Sequence, residues 1–239
     1  MKKPLKIFVG WDSRLGIVND VAISSIKKHA PHAEVYPLKQ FQLRDSKIYN
    51  RPVDNKASTE FTITRFLPPA LCYYEGYSMF MDCDMILTTD IHKILDECDL
   101  DKTINCVKHD YSKFEQNGNH GTVKMDGRHQ EIYPRKNWSS VMVFNNAKCK
   151  ETLTPDYINQ AEPKHLHRMT WANEDIGEIQ HRWNYLVGYH TDEDYSLIHW
   201  TDGGPWFDDY RDPPLSDLWY NELFDHFEAK KLYNIERKL

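Results

Sequence analysis

Two aspartates one residue apart, Asp82 and Asp84, follow directly after the largely apolar run Tyr77–Met81. Alternate residues of a strand point to the same side, so both carboxylates share one direction and Cys83 points the other way. Carboxylates this close repel each other unless a cation lies between them, and Mg²⁺ and Mn²⁺ prefer such oxygen ligands. The pattern favours a metal site at the end of a buried strand. The alternative is structural, with one acid capping the next turn and the other meeting an arginine.

The segments around this pair read as alternating strands and helices. Strand Leu5–Gly10, the amphipathic helix after it and strand Ala33–Leu38 form an opening β-α-β unit. Open α/β sheets bind ligands at the carboxyl ends of their strands, where the two aspartates are expected to lie. The rest of the pattern predicts a loop over 40–56, helices Ser58–Tyr74 (interrupted at Pro68) and Asp90–Glu97, strands Thr103–His109, Ser139–Asn145 and Tyr195–Trp200, and helical segments between the last two strands.

Composition bounds the class of protein. A chain of 239 residues with a formal net charge of −6 is unlike nucleic-acid binders, which present a basic face. Five cysteines without a CxxC pair disfavour a zinc ribbon or a disulfide framework, and reduced thiols are typical of a cytoplasmic protein. No apolar run approaches the ~20 residues of a membrane helix, while the basic segment 227–239 leaves peripheral membrane contact open. No linker divides the chain, so one domain over 1–239 is expected.

Two classes of enzyme place an Asp-x-Asp pair after a strand. Phosphatases of the haloacid dehalogenase type carry it near the N-terminus and have Thr or Val two residues after the second acid, where this chain has Ile86. Nucleotide-sugar glycosyltransferases of the GT-A type use the pair to hold a metal that binds a diphosphate. The position of the pair, a third of the way along the chain, favours the second class.

Six segments occur in the order seen in glycosyltransferase family 8 and its bacterial and phage relatives, which the chain resembles over most of residues 5–210. They are IFVGWDSRLG, STEFTITRF, YSMFMDCDMIL, NWSSVMVFN, WNYLVGY and HWTDGGPW. The resemblance implies an α/β fold of the GT-A type, a single domain with a mixed central sheet flanked by helices. It also implies a nucleotide-binding part over about 1–110, an acceptor-side part over about 111–210 and a terminal helix over about 213–239.

The resemblance assigns roles to individual residues. The metal ligands are Asp82, Asp84 and His199, of which the histidine alone would read as a satisfied core residue. The donor nucleotide and its phosphates are expected at Gly10, Asp12, Arg14, Arg65, Cys83, Gly203 and Gly204. Asp12 is equally well explained as the N-cap of the following helix. Arg65 would touch the donor or pair with an active-site acid.

The sugar side is assigned in the same way. Trp138, Ser139, Ser140 and Trp206 are expected to contact the sugars, and the segment Tyr111–Lys136 is expected to form an acceptor or lid element. Glu174 and Asp175 are the candidates for the reacting face, with ordinary first-turn helix acids as the structural alternative.

The late motif departs from the family. Family members read His-x-x-Gly-x-x-Lys-Pro-Trp, whereas this chain has Gly204 before Pro205 and no lysine. Backbone N–H groups of Gly203 and Gly204 could meet the phosphate instead. Arg211, Arg135 or Lys136 could equally supply the positive charge.

The function implied is transfer of a sugar from a nucleoside diphosphate sugar, foremost a UDP-sugar, to a hydroxyl-bearing acceptor such as a glycan, with Mn²⁺ or Mg²⁺ and with retention. One alternative is a nucleotide- or sugar-binding protein of the same fold without catalysis, which the missing lysine favours. The other is a metal-dependent phosphohydrolase or nucleotidyltransferase, which would need a nucleophile or a glycine-rich phosphate loop that the sequence does not present.

Overall fold

A computed structural model describes residues 5–54, 57–113 and 134–236 of the chain. Most of the segment Tyr111–Lys136, for which an acceptor or lid role is expected, therefore lies outside the described residues. The strands are β1 Leu5–Gly10, β2 Glu34–Leu38, β3 Tyr77–Met81, β4 Met85–Leu87, β5 Ile104–Cys106, β6 Val141–Asn145, β7 Ile176–Glu178, β8 Tyr185–Leu186 and β9 Leu197–His199. The α-helices are α1 Gly16–His29, α2 Gln40–Asp45, α3 Pro68–Leu71, α4 Pro155–Gln160, α5 Pro163–His167 and α6 Ser216–Glu236.

The central sheet is mixed and has six strands in the order β2-β1-β3-β6-β5-β7. Strand β1 runs parallel to β2 and β3, β6 runs antiparallel to β3 and β5, and β7 runs parallel to β5. One edge of this sheet therefore collects the carboxyl ends of β1, β3, β5 and β7. The α/β class with a mixed central sheet is confirmed.

A second, three-stranded sheet in the order β4-β9-β8 follows the first. Its strand β4 begins shortly after the last residue of β3, so residues 82–84 form the turn that connects the two sheets. Helix α1 contributes Ala22 and Ile26 to the main core, and Val18 and Val21 to a second core formed with the small sheet and α6. The Ser25 hydroxyl of α1 accepts a hydrogen bond from the Leu87 amide at 3.0 Å.

Several predicted elements differ from the observed ones. Helix Ser58–Tyr74 is reduced to a 3₁₀ turn at Thr64–Phe66 and the four-residue α3, because Pro68 and Pro69 donate no backbone hydrogen bonds. The loop predicted over 40–56 begins with α2. Segment 176–178, expected within helical sequence, instead adds β7 to the edge of the central sheet.

Candidate functional site

Asp82, Asp84 and His199 meet at the turn between the two sheets. One ligand atom from each lies within 4.8 Å of the others. The pairing of β4 with β9 brings His199 opposite Met85, and the Trp200 amide donates to the Asp84 carbonyl at 3.1 Å. The His199 Nε2 atom lies 3.4 Å from Asp84 Oδ1. His199 is 1% exposed and Asp82 is 8% exposed, so the cluster is largely shielded from water.

The chemistry of this cluster fits a divalent cation. Two carboxylates and one imidazole form a donor set suited to Mn²⁺ or Mg²⁺. Asp82 Oδ1 is buried and accepts no hydrogen bond of normal geometry from the described residues. Burial raises the pKa of Asp82 against the lowering effect of Arg65, and the nearby charge of Asp84 adds to the rise. A bound cation would offset this repulsion between the two carboxylates.

Arg65 is the nearest counter-charge to this cluster. Its Nη1 lies 3.0 Å from Asp82 Oδ1 and donates to the Ser139 carbonyl at 2.9 Å. The guanidinium carbon lies 5.2 Å and 5.1 Å from the ring centres of Phe61 and Phe80. Of the two roles considered for this arginine, the structure shows the pairing with an acid of the cluster.

Ser139 and Ser140 hold the strand end in place. The Ser140 carbonyl accepts from the Asp82 amide at 3.0 Å, and Ser139 Oγ lies 2.9 Å from Nδ1 of His167. Burial, together with the charge of Arg65, lowers the pKa of His167 to about 3, so this imidazole is neutral and can accept the serine proton. Sequence reasoning missed His167, because a histidine at the end of a short helix carries no distinguishing pattern.

Asp12 forms the cap that the sequence offered as its alternative role. Its Oδ1 accepts from the backbone N and from Nε of Arg14, at 3.0 Å and 2.7 Å, and Oδ2 accepts from the Glu60 amide at 3.2 Å. Burial alone would raise its pKa, but the hydrogen bonds from Arg14 and Glu60 hold the pKa of Asp12 below its usual value. The carboxylate thereby fixes the Arg14 side chain.

A cavity of about 250 Å³ adjoins the cluster. Five of the residues singled out in the sequence line it, although they come from separate segments: Asp12, Arg14, Asp84, Gly203 and Trp206. The rest of its wall is formed by Leu15, Ser58, Thr59, Thr201, Asp202 and Phe207. A second cavity of about 700 Å³ shares Arg14 and Thr59 with the first. Polar and apolar walls next to a metal-type cluster are typical of a small-molecule site.

The remaining residues expected at the donor nucleotide, Gly10, Cys83, Gly203 and Gly204, are explained in the structure by packing or by backbone conformation. A Cβ on Gly10 would lie 2.7 Å from ring atoms of Phe61, and one on Gly204 would lie 2.3 Å from the ring of Trp206. Both glycines thus make room for an aromatic ring. Gly203 has φ +119°, which favours glycine. Cys83 is buried in the main core, and burial raises the pKa of its thiol.

The structure does not bring Asp175 to the cluster. Its carboxylate accepts from the backbone N and Oγ1 of Thr103 at 3.0 Å and 2.8 Å, and Lys102 and Lys148 also pair with it. Thr103 and Asp175 precede β5 and β7, so they lie at the amino ends of these strands. This is the opposite edge of the sheet from Asp82, about 16 Å away for a strand of about five residues at ~3.3 Å each. The chain joins the sheet as β7 here, so Asp175 does not lie in the first turn of a helix, which was its alternative structural role.

Glu174 is linked to Trp138 through the side chain of Arg135. Both of its carboxylate oxygens accept from Arg135 at 2.6 Å, its side chain is 75% exposed, and the bonding to Arg135 lowers its pKa. The Arg135 guanidinium carbon lies 5.2 Å from the Trp138 ring centre, and Trp138 Nε1 donates to the His109 carbonyl at 3.0 Å. Trp138 directly precedes Ser139 and so lies on the same sheet edge as Asp82, whereas the backbone of Glu174 directly precedes Asp175 at the amino end of β7.

The three cations considered for the missing lysine differ in their surroundings. Arg135 pairs with Glu174, and the half-exposed Arg211 pairs with Asp208. Lys136 is 2% exposed, and its Nζ lies 4.8 Å from the Tyr111 ring centre. It directly precedes Asn137, whose side chain donates to Thr201 in the wall of the smaller cavity at 3.0 Å. Of the three, Lys136 is the buried cation.

Within the described ranges, no helix combines the length and the apolar character needed to cross a bilayer.

The chain is similar in sequence to a curated protein of a plant. The Arabidopsis thaliana protein named protein CDI is 40% identical over an alignment of 239 positions, gaps included. The alignment covers 96% of this chain and 90% of that protein. No family model matches the chain.

Solved structures of glycosyltransferases share the fold. Glycosyltransferase GlyE of Streptococcus pneumoniae TIGR4 aligns with a TM-score of 0.59 at 15% identity over 96% of this chain, and the chain spans 64% of GlyE. The galactosyltransferase LgtC, solved with donor and acceptor sugar analogs, aligns with a TM-score of 0.56 at 11% identity over 92% of this chain and 95% of LgtC. The bifunctional glycosyltransferase WbbM aligns with a TM-score of 0.57 at 13% identity, over 95% of this chain and 52% of WbbM. At such identities the likeness establishes the fold, and the expected GT-A-type architecture is confirmed.

Proposed function

The chain belongs to the family of protein CDI, and we propose that it is a metal-dependent glycosyltransferase. It moves a sugar from a nucleoside diphosphate sugar to a hydroxyl-bearing acceptor such as a glycan. The observation that carries this proposal is the Asp82–Asp84–His199 cluster beside a cavity lined by Arg14 and Trp206. Solved glycosyltransferases of the same fold, among them LgtC with its donor and acceptor sugar analogs, support it.

The cluster would hold Mn²⁺ or Mg²⁺ through its two carboxylates and one imidazole. When bound, the ion supplies a Lewis acid that stabilises negative charge on the leaving diphosphate. Arg65 keeps Asp82 in place through the ion pair at 3.0 Å. The Gly203–Gly204 segment offers backbone at the cavity wall, and Lys136 is the buried cation assigned to the diphosphate in place of the lysine that this motif lacks.

The donor is assigned as a UDP-sugar and the type as hexosyl transfer, both from the resemblance to glycosyltransferase family 8. The nucleoside part is placed in the cavity beside Arg14, where the Trp206 ring offers a flat apolar surface. Trp206 Nε1 is buried and has no hydrogen-bond partner among the described residues, so a ligand could accept from it. The five free cysteines agree with a reducing compartment, for which we propose the cytoplasm.

The acceptor side is assigned to Trp138, which lies on the same sheet edge as Asp82, and to Glu174, which is linked to Trp138 through the side chain of Arg135. An indole ring stacks well against the apolar face of a sugar, and a carboxylate can accept hydrogen bonds from its hydroxyls. The distance of Asp175 from the cluster, and the pairing of both Glu174 carboxylate oxygens with Arg135 at 2.6 Å, speak against a covalent intermediate on either residue. Retention then follows the front-face route, in which the bond from sugar to phosphate breaks as the acceptor oxygen bonds to the same carbon and its proton passes to the phosphate oxygen.

The test is release of nucleoside diphosphate by the purified chain from a panel of UDP-, GDP- and ADP-sugars, with Mn²⁺, with Mg²⁺ or with chelator. We expect release from one base only, dependent on the cation and lost by at least ~100-fold in Asp84→Asn, since the charge on the leaving group is then no longer stabilised. Asp45→Asn, at the exposed end of α2, is the matched control and should keep full activity.

Two other outcomes would contradict the proposal. Release of inorganic phosphate from simple phosphoesters, without cleavage of nucleotide sugars, would indicate a phosphohydrolase. Binding of a nucleoside diphosphate without turnover, across a panel of sugar acceptors, would indicate a non-catalytic binding protein. The absence of lysine before Pro205 is the feature that favours this last candidate.

A further inference from the structure

The ring of His199 is held from the side opposite to Asp84. Its Nδ1 lies 2.8 Å from Oδ1 of Asn184, and both residues are buried. Its Nε2 faces Asp84 Oδ1 at 3.4 Å. The two ring nitrogens therefore have separate partners, one within the protein core and one in the cluster.

The bonding of Asn184 fixes which ring nitrogen carries the proton. Asn184 Nδ2 donates to the carbonyl of Asn137 at 3.0 Å. A carbonyl can only accept, so the amide group must place its NH₂ towards Asn137 and its oxygen towards the ring. That oxygen needs a donor, and Nδ1 therefore carries the hydrogen. In this tautomer the lone pair of Nε2 faces the carboxylates.

Asn137 forms hydrogen bonds with residues on both the Asp82 side and the His199 side of the cluster. Its carbonyl accepts from Asn184 on the His199 side and also from the Ser140 amide at 3.2 Å. Ser140 in turn accepts from the Asp82 amide. The Asn137 side chain donates to Thr201, two residues after His199, at 3.0 Å. Its φ of 61° lies in the left-handed region, which Asn tolerates better than other residues with a side chain.

We propose that Asn184 and Asn137 are positioning residues of the cation site. They hold His199 in the tautomer that presents Nε2, and they fix the distance between the strand ends that carry Asp82 and His199. This inference rests on the cation site of the proposed function. Partners of this kind orient metal-binding histidines, and their loss weakens metal binding by about 10- to 100-fold.

The test measures binding of Mn²⁺ alone to the full chain, stripped of metal beforehand, by calorimetric titration. In Asn184→Leu, which keeps the size but loses both hydrogen bonds, we expect the Kd for Mn²⁺ to rise about 10- to 100-fold. In Asn184→Asp a carboxylate oxygen can still accept from Nδ1. The Kd should then stay within about threefold of the wild type, while Tm falls because the second oxygen faces the Asn137 carbonyl.

Asn146 provides the matched control. It is buried, accepts from Ser78 Oγ at 2.6 Å and donates to the Glu75 carbonyl at 2.7 Å. This is the same pattern of one bond accepted and one donated, but at the amino end of β3, across the sheet from the cluster. Asn146→Leu should lower Tm by a similar amount and leave the Kd for Mn²⁺ within about twofold, since only the bonds of Asn184 reach a ligand of the cation.

The outcomes separate the two proposals. Wild-type protein that binds no Mn²⁺ contradicts the cation site and this inference with it. Wild-type protein that binds Mn²⁺, with Asn184→Leu folded and binding equally well, contradicts only the inference, as would equal weakening in Asn146→Leu. If Asn184→Leu does not fold, Asn137→Gly decides the matter. Glycine keeps the left-handed backbone but loses the side-chain bonds to Thr201 and to the Tyr111 hydroxyl. Mn²⁺ binding should therefore weaken about threefold or more, and unchanged binding overturns the inference.

Discussion

Replacing Arg65 by methionine should destabilise the metal-free protein strongly, because Asp82 then loses the guanidinium that pairs with it. The two side chains are 7% and 11% exposed, and their charged atoms lie 3.0 Å apart. Methionine keeps an unbranched apolar side chain between the rings of Phe61 and Phe80. The main change is therefore a carboxylate left without a counter-charge in a buried place.

The magnitude follows from the geometry. Two unit charges at this separation attract by about 5.5 kcal/mol at an effective dielectric constant of about 20. Removing one member of a buried pair costs about 3–5 kcal/mol in the free energy of unfolding. For a chain of this length each kcal/mol shifts Tm by about 2–4 °C, so Tm should fall by roughly 6–20 °C.

The assay is thermal unfolding in chelator of the wild type, Arg65→Met, Asp82→Asn and the double variant. The side chain introduced by Asp82→Asn carries no charge, so in that background the arginine substitution should cost about 2 kcal/mol less. Arg182→Met, which breaks the more exposed pair with Glu97, is the control and should cost less than Arg65→Met. If the effects of the Arg65 and Asp82 substitutions add to within about 0.5 kcal/mol, the reasoning about this ion pair is refuted.

Three further predictions concern other parts of the molecule. Gly204→Ala should displace the Trp206 ring, because the nearest ring atom would lie 2.3 Å from the added Cβ. We expect binding of nucleoside diphosphate to weaken about tenfold in a fluorescence titration. Unchanged affinity would show that the Trp206 ring does not form part of the nucleotide site. Asp175→Asn should lower Tm by a few degrees, because the carboxylate loses its lysine pairs, yet leave turnover within about twofold, and a large loss of turnover would contradict its placement away from the cluster. The pKa of His167 is lowered from 6.5 to about 3, so the unfolded chain binds one more proton in this range and stability falls as pH drops below 6.5. Urea titrations should show about 2 kcal/mol less stability at pH 5 than at pH 7 from this residue alone, and a loss of the same size in His167→Gln would exclude His167 as its source.

The Asp82–Asp84–His199 cluster could be predicted from the sequence, the aspartates from their pattern and His199 from the resemblance to glycosyltransferase family 8. The Asp-x-Asp pair ends an apolar strand, and His199 lies in a second apolar strand within a recognisable motif. Pairing of β4 with β9, which brings the two together, was not predicted. Strand β4 is three residues long, too short for an alternating pattern to be recognised.

The positions of Glu174 and Asp175 in the fold could not be predicted from the sequence. Their position rests on Ile176–Glu178 joining the edge of the sheet, and three residues with a central glycine give no strand signal. A Cβ on Gly177 would lie 2.0 Å from Asn105 Oδ1, so the glycine permits this close pairing with β5. Only tertiary contact decides between strand and helix here.

The connection of the two sheets through residues 82–84 has a consequence for the order of folding. The strands that present Asp82 lie in the first 81 residues, together with Val141–Asn145, but His199 follows Asp84 about 115 residues later in the chain, a separation whose closure costs entropy. A nascent chain can form the β1–β2–β3 unit well before β9 has been synthesised. The three side chains of the cluster therefore come together only when β9 docks against β4. If the cluster holds Mn²⁺ as proposed, binding of the ion would report that this docking is complete. Divalent cation would then stabilise the finished protein selectively over its partly folded precursors.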